Sequence, residues 1–154
     1  MYIRCAICDD QPDLLQNLHR TLDAIAENLQ IDLAVFPFSS GRNLLYEIQD
    51  QTTYDIVILD IEMPGKSGIE TARDIRQYDD DCLILFLTSH LEYAAEAYEL
   101  NIFRYIPKPK LSEKLPAAIA DAARQLQTRC KQCYLISKPH LVEKIPFQNI
   151  VYIL

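Results

Sequence analysis

The sequence lacks any hydrophobic run of the ~18 residues that a membrane-spanning helix needs, although 49% of its 154 residues are hydrophobic. It opens on MYIRCAICDD, which lacks the n-region, the long apolar stretch and the small-residue cleavage site of a signal peptide. These absences argue against a membrane protein and predict a cytoplasmic location. The length and the hydrophobic content favour one domain with a substantial core.

Basic residues are scarce in the first 128 residues, where 11 Lys and Arg stand against 21 Asp and Glu, a net charge of −10. Residues 129–154 carry four Lys and Arg against one Glu, a net charge of +3, within a whole-chain charge of −7. An acidic body is not expected to bind nucleic acid by itself, because nucleic acid is also negative. The change in composition predicts a boundary near residue 128.

Cysteines are few and odd in number, and four of the five form two C-x-x-C pairs, Cys5/Cys8 and Cys130/Cys133. Two such pairs can hold a zinc ion. However, Cys5 and Cys8 lie within an apolar strand-like run, where residues three apart face opposite sides. We therefore interpret them as small buried residues rather than as zinc ligands or disulfide partners.

Four short apolar runs each end on residues that phosphoryl chemistry can use. The runs are 3–8 before Asp9 and Asp10, 55–59 before Asp60, 82–87 before Thr88 and Ser89, and 103–106 before Lys108. Their length predicts buried strands, and a further strand is predicted at 31–38. Helical patterns lie between the strands, which predicts βα units on a parallel sheet, with ligands bound at the carboxyl edge. Three carboxylates, a hydroxyl and an ammonium group at one edge suit a divalent cation and a phosphoryl group.

The helical patterns can be placed by their apolar spacing. Helices are predicted from Pro12, from Gly41, from Gly68, over 92–100, and from a Ser112 cap to about Cys130. Beyond residue 130 the pattern changes to short strand-like segments without helices between them, and the chain stops inside an apolar run. A β-rich end with nothing to cover it predicts that the sequence is cut short.

With these features in place, residues 1–128 resemble the receiver domain of two-component response regulators. The resemblance rests on the acidic pair, on Asp60 followed by M-P-G-x-S-G, on Thr88, and on Tyr-x-x-Lys-Pro at 105–109. It implies an α/β fold, a doubly wound five-stranded parallel sheet of the flavodoxin-like kind in the order 2-1-3-4-5. The segment 88–109 is similar to receivers that carry LytTR-type DNA-binding domains. The final KIPFQNIVYIL resembles the first strands of such a domain, so residues 129–154 are predicted to be a linker and its incomplete start.

The resemblance implies a role for each acidic residue. Asp60 would accept a phosphoryl group from a sensor histidine kinase, since a carboxylate can form an acyl phosphate. Mg²⁺ would bind Asp10 and Asp60 directly, Asp9 through water, and the backbone carbonyl of Glu62. Mg²⁺ would also relieve the repulsion of three adjacent carboxylates, which raises the pKa of at least one. A solvated Asp-Asp turn is the alternative for Asp9 and Asp10.

Thr88 and Lys108 would contact the phosphoryl oxygens, and Lys108 could also pair with Asp60 at rest. Thr88 and Tyr105 would form a two-state switch, unless Tyr105 is an ordinary strand aromatic. Pro109 suggests a cis peptide that aims Lys108 at the site.

The function implied is a phosphorylation-dependent switch, not an enzyme apart from self-catalysed phosphoryl transfer. The surface 92–126 would mediate homodimerisation on phosphorylation. DNA would be bound only through the missing C-terminal domain, and no membrane is involved. One alternative is a Mg²⁺-dependent phosphatase of the haloacid-dehalogenase type, although Asp60 begins D-x-E rather than D-x-D and no capping insert is evident. Another is a pseudo-receiver that works without phosphorylation, although such proteins usually lack one of these site residues.

Overall fold

The computed structural model describes residues 1–134, which alternate strands and helices along the chain. The elements are β1 (Tyr2–Cys8), α1 (Pro12–Leu29), β2 (Asp32–Phe38), α2 (Gly41–Gln49), β3 (Ile56–Asp60), α3 (Gly68–Tyr78), β4 (Leu83–Thr88), α4 (Ala94–Glu99), β5 (Arg104–Pro107) and α5 (Leu111–Tyr134), with a 3₁₀ turn at Lys108–Lys110. The five strands are parallel and lie in the order β2-β1-β3-β4-β5. This confirms the predicted doubly wound, flavodoxin-like sheet.

An apolar cluster covers each face of the sheet, because strand side chains alternate between the two faces. The cluster beneath α1 and α5 includes Cys5, Leu22, Ile25, Leu115 and Ile119. The cluster beneath α2, α3 and α4 includes Cys8, Leu44, Ala72, Ile75 and Ala97. Cys5 and Cys8 thus face opposite sides as predicted, and both are free and buried. Among the described residues, no helix is long and apolar enough to cross a membrane.

The strands extend further than the apolar pattern predicts. The apolar pattern predicts that β3 stops before Asp60 and that β4 stops before Thr88. In the structure these two polar residues are the last residues of their strands. Asp60 pairs with Leu87 in the β3–β4 register. A ladder of backbone hydrogen bonds does not depend on side-chain polarity, so it continues one residue past the apolar run. As a result, the Asp60 backbone is fixed by the sheet.

The region after β5 differs from the prediction in three ways. First, α5 begins at Leu111, so Ser112 is not its cap, because the 3₁₀ turn feeds directly into the helix. Second, Pro116 lies inside α5, whereas a helix capped by Ser112 would have it near the first turn. Third, the described chain contains no cis peptide bond, so the expected cis Lys108–Pro109 peptide is wrong. Pro109 instead lies near the start of the 3₁₀ turn, where its fixed φ angle fits a helical conformation.

The helix predicted over 92–100 is shorter, because α4 spans only Ala94–Glu99. At the other end, α5 runs to Tyr134, beyond both the predicted end near Cys130 and the composition boundary at residue 128. The strand-like segments predicted for the tail lie in 135–154, outside the described residues, and so does the LytTR-like KIPFQNIVYIL. The Cys130/Cys133 pair also reaches beyond the residues whose side chains are described.

Candidate functional site

Three carboxylates converge at the carboxyl edge of the sheet. Asp9 and Asp10 follow β1 directly, Asp60 ends β3, and one carboxylate oxygen from each lies within 4.8 Å of the others. Asp9 and Asp60 are buried, at 5% and 4% exposure, whereas Asp10 is partly exposed. The central neighbours β1 and β3 are paired strands, which explains why residues about 50 apart in sequence meet here.

Local hydrogen bonds hold the two buried carboxylates in place. The backbone N–H of Gln11 donates to Oδ1 of Asp9 at 2.9 Å. The backbone N–H of Glu62 donates to Oδ1 of Asp60 at 3.3 Å. Each is an Asx-type turn, in which the side chain accepts from the backbone two residues on. These turns fix the rotation of both carboxylates before any ligand is present.

Gly68, the first residue of α3, lies directly against the backbone of Asp60. A Cβ atom on Gly68 would lie 2.1 Å from the carbonyl oxygen of Asp60, a distance that real contacts do not reach. The N–H of Gly68 also donates to the carbonyl of Ile61 at 2.8 Å. Ser67 caps the helix through its hydroxyl, which accepts from the N–H of Glu70. The close approach of α3 to the end of β3 therefore requires glycine at position 68.

Lys108 supplies the positive charge of the site. Its Nζ atom lies 3.3 Å from Oδ2 of Asp60 and 3.6 Å from Oδ2 of Asp9. The salt bridge to Asp60 that the sequence allowed is therefore present, and a second carboxylate shares it. Lys108 is held there by the end of β5 and the 3₁₀ turn that begins at this residue.

The pKa values of the two buried carboxyls are both raised. Burial is the main cause for Asp60, and repulsion from Asp9 adds to it, while Lys108 and the Glu62 N–H act in the opposite direction. Burial is also the main cause of the raised pKa of Asp9, and the Gln11 N–H and Lys108 partly oppose it. One lysine thus only partly offsets the burial and mutual repulsion of the two carboxylates. A divalent cation at this edge would offset the remaining free-energy cost of keeping both ionised.

The residues present fit a magnesium ion by their chemistry. Asp9, Asp10 and Asp60 offer hard carboxylate oxygens, the ligands that Mg²⁺ prefers, and their grouping is close enough for one ion. The side-chain carboxylate of Glu62 is turned elsewhere, since its Oε2 lies 3.1 Å from Nε2 of His90. Any contribution of Glu62 to this ion therefore falls to its backbone carbonyl, as the resemblance implies.

Thr88 and Tyr105 meet at the backbone of His90. Thr88 is fully buried, and its Oγ1 accepts from the His90 N–H at 3.0 Å and donates to the His90 carbonyl at 3.2 Å. The hydroxyl of Tyr105 donates to the same carbonyl. The Tyr105 ring packs edge-on against Phe86, with centroids 6.4 Å apart. The two predicted switch residues thus share one acceptor.

His90 is the residue at this edge that the sequence reasoning missed. Its imidazole lies between Glu62 at 3.1 Å and Glu92 at 3.7 Å, so it links the loops that follow β3 and β4. The hydrogen bonds to Thr88 and Tyr105 use the backbone of His90, so the identity of its side chain does not predict them. The only available signal was its position two residues after Thr88, where a hydroxyl can form a local turn.

The surface predicted for dimerisation carries one fully exposed aromatic ring. Tyr98 on α4 is 88% exposed, whereas Tyr93, Phe103 and Tyr105 are partly buried. Arg104 on β5 pairs with Asp121 on α5 at 3.1 Å, and so joins these two elements at the surface.

A separate cavity of about 510 Å³ lies at the opposite, amino edge of the sheet. Its lining comes from the ends of α2 and α3 and the loops beside them, and it includes Thr52, Tyr54, Tyr78, Asp79 and Cys82. Asp79 is the charged residue of this lining, and its Oδ1 already accepts from the N–H groups of Asp81 and Cys82. This cavity shares no residue with the carboxylate edge.

A family model described as the response regulator receiver domain matches residues 5–120. The chain is similar to the sensory transduction protein LytR of Staphylococcus haemolyticus, with 31% identity over 137 residues, 89% of this chain and 52% of that protein. It is also 30% identical over 118 residues to the positive alginate biosynthesis regulatory protein of Pseudomonas aeruginosa, covering 77% of this chain and 46% of that protein. The chain therefore spans about half the length of these curated relatives.

Solved structures agree in fold. A response regulator receiver domain protein from Clostridium thermocellum matches with a TM-score of 0.70 and 26% identity, over 82% of this chain and 98% of that one. The response regulator TrrA from Thermotoga maritima, solved with Mg²⁺ and BeF, matches with a TM-score of 0.67 and 27% identity, over 79% of this chain and 99% of that one.

Proposed function

This chain belongs to the response regulator receiver family of two-component systems, and we propose that Asp60 is its phosphoacceptor, with Mg²⁺ as cofactor and a sensor histidine kinase as donor. The observation that carries the proposal is the grouping of Asp9, Asp10 and Asp60 with Lys108 at one sheet edge. The solved structure of TrrA in complex with Mg²⁺ and BeF supports the same chemistry.

In the proposed reaction, a carboxylate oxygen of Asp60 attacks the phosphorus of a phosphohistidine. A P–O bond forms while the P–N bond breaks, and the histidine nitrogen keeps the electron pair and takes up a proton. The Asp60 carboxylate is pre-oriented for this attack by the Glu62 N–H. Asp10, Asp60 and the Glu62 carbonyl would hold Mg²⁺ directly, and Asp9 would do so through water. The ion supplies positive charge against the phosphoryl oxygens.

Lys108 has a different role before and after transfer. Before transfer it neutralises Asp60 and Asp9, at 3.3 and 3.6 Å. The acyl phosphate that forms on Asp60 replaces a single negative charge with about two, so Lys108 is drawn to the phosphoryl oxygens. The same side chain thereby stabilises both the resting carboxylate and the product.

The signal would pass through the hydrogen bonds at His90. A phosphoryl group on Asp60 competes for the Thr88 hydroxyl, which at present donates to the His90 carbonyl. Moving that hydroxyl changes the acceptor that Tyr105 shares, and so biases the loop between β4 and α4 between two arrangements. The surface of α4, β5 and α5 would then favour a homodimer.

The output is proposed from the relatives. Residues 1–128 would be the receiver, and residues 129–154 would be a linker and the start of a LytTR-type DNA-binding domain. The relatives named LytR are sensory transduction proteins, and the chain covers about half of their length. DNA would be bound by that further domain, in the cytoplasm, and the −10 charge of the receiver argues against DNA binding by residues 1–128.

The test is phosphorylation by acetyl phosphate with Mg²⁺, followed by intact mass. We expect a gain of about 80 Da on the wild type and none on Asp60→Asn. Asp13→Asn is the matched control, since Asp13 is an exposed acid in the first turn of α1 near the same edge. An equal mass gain on Asp60→Asn would overturn the assignment of the phosphoacceptor.

A further inference from the structure

The loop from β3 to α3 carries Glu62, whose carbonyl is a proposed magnesium ligand, yet its residues 62–67 are mostly exposed or partly exposed. Its ends are fixed by the Gly68 N–H, which donates to the Ile61 carbonyl, and by the close contact of Gly68 with Asp60. Between these ends, Met63 is the only residue of 62–67 that is buried. Met63 therefore ties the middle of the loop to the core, while Glu62 is also held by Asp60 and His90.

Met63 contacts a cysteine on the neighbouring strand. The thiol of Cys8 donates to Sδ of Met63, with the two sulfur atoms 3.7 Å apart. Cys8 is 1% exposed and is the last residue of β1, directly before Asp9. Cys8 thus brings the sulfur contact directly beside the acidic pair.

This contact joins the two chain segments that carry the proposed magnesium ligands. Cys8 directly precedes the Asp9–Asp10 pair, and Met63 directly follows Glu62. Each of the two sulfur-bearing residues is therefore a chain neighbour of a proposed ligand. The contact belongs to the buried cluster on this face of the sheet, whose other members are mainly apolar. A thiol is a weak donor and a thioether a weak acceptor, so their contact adds a preferred direction to the close packing around it.

We propose that Cys8 is a positioning residue, whose contact with Met63 sets the spacing between the Asp9–Asp10 pair and the Glu62 carbonyl and so pre-organises the site for Mg²⁺. This inference rests on the proposed magnesium site. Cys8 and Met63 do not touch the ion. They act through the backbone segments that bear its ligands, in the way that supporting contacts orient metal ligands in other proteins.

The test is titration of the 154-residue chain with MgCl₂, followed by amide ¹H–¹⁵N chemical shifts at Asp10 and Glu62. Cys8→Ala is expected to weaken Mg²⁺ binding about three- to tenfold, and Met63→Leu to weaken it similarly, because it keeps the volume but removes the acceptor sulfur. The double variant should bind Mg²⁺ no more weakly than either single variant, since both remove one contact. Cys8→Ser, which keeps a donor, should bind more tightly than Cys8→Ala.

Cys5→Ala is the matched control. Cys5 lies on the same strand and is equally buried, but it faces the other side of the sheet, beneath α1 and α5. It should lose a similar amount of stability while its Mg²⁺ affinity stays at the wild-type value. At saturating Mg²⁺, the phosphorylation rate of Cys8→Ala should also return to near the wild-type rate, which a general packing defect would not produce.

Two results would overturn the inference: equal effects of Cys8→Ala and Cys5→Ala on Mg²⁺ affinity, or fully additive effects in the double variant. Failure of the proposed function has a different signature, since Mg²⁺ would then shift neither Asp10 nor Glu62 in the wild type.

Discussion

The ammonium group of Lys108 lies between Asp60 and Asp9, 3.3 Å from Oδ2 of the first and 3.6 Å from Oδ2 of the second. Both carboxylates are at least 95% buried, while the lysine side chain is 26% exposed. One partly exposed ammonium group is therefore shared as the ion-pair partner of two buried carboxylates. Burial raises the pKa of both carboxyls, and the one shared lysine opposes this only in part.

Lys108→Ala should slow the phosphorylation of Asp60 by acetyl phosphate on the order of 10–100-fold, because a positive charge directed at the phosphoryl oxygens is lost. The measurement is the rate of mass gain at saturating Mg²⁺. Lys110→Ala is the control, since Lys110 is an exposed lysine in the same 3₁₀ turn. If the two variants react at equal rates, Lys108 has no role in transfer.

Asp9→Asn should stabilise the metal-free protein at neutral pH, by about 1–2 kcal/mol in the free energy of unfolding, because it removes repulsion between buried carboxylates. The sign follows from linkage. Burial raises the pKa of Asp9 in the folded state above its ordinary value, so the folded state favours the protonated acid. Its ionisation therefore costs stability as pH rises through the folded pKa, and the cost vanishes below the unfolded pKa.

The gain from Asp9→Asn should accordingly be largest at pH 7 and shrink as pH falls towards 4. Urea unfolding in the presence of EDTA measures it at each pH. Asp13→Asn, at an exposed position, should show no such trend. A variant that is less stable than wild type at pH 7 without metal would contradict the prediction. With Mg²⁺ added, the order should reverse, because the wild type then gains from the ion and the variant gains less.

Gly68→Ala should destabilise the fold by about 2–3 kcal/mol and abolish phosphorylation, since the new Cβ would be 2.1 Å from the Asp60 carbonyl oxygen and a strand backbone cannot move aside easily. Gly41→Ala is the matched control. Gly41 also begins a helix after a serine cap, but its added Cβ would meet the side chain of Thr71 rather than the backbone of Asp60. That variant should lose stability yet keep its phosphorylation rate. Loss of phosphorylation in both would show that stability alone explains the effect.

The sequence predicted that the acids and Lys108 lie together because all of them follow the ends of strands. Asp60 and Thr88 follow apolar runs, and parallel strands bring such positions to one edge, so periodicity was enough to group them. Contacts between distant residues left no periodic signal. The pairing of Cys8 with Met63, 55 residues away, depends on loop geometry, and so does the meeting of Thr88 and Tyr105 at a backbone carbonyl.

The errors arose where local rules compete. Ser112 has the chemistry of a helix cap, but the 3₁₀ turn before it already supplied a helical start, so α5 begins at Leu111. The sequence Lys108–Pro109 suggested a cis bond, but a trans proline also fits the first turn of that segment. In both places the backbone path of the preceding strand decided the outcome, and a short sequence window does not contain it.

Tyr105→Phe tests the proposed switch, because it removes the hydroxyl that donates to the His90 carbonyl and keeps the ring that packs on Phe86. We expect the rate of Asp60 phosphorylation to stay within about twofold of the wild type, while the fold loses about 1 kcal/mol from one hydrogen bond. The fraction of dimer in the presence of beryllofluoride and Mg²⁺, measured by sedimentation, should fall clearly below that of the wild type. Tyr46→Phe is the control for a surface aromatic, since Tyr46 is 70% exposed on α2, outside the surface 92–126. If Tyr105→Phe dimerises as the wild type does, the ring is an ordinary strand aromatic and the signal leaves the site by another route. If it neither dimerises nor accepts the phosphoryl group, the hydroxyl supports the site itself rather than its output.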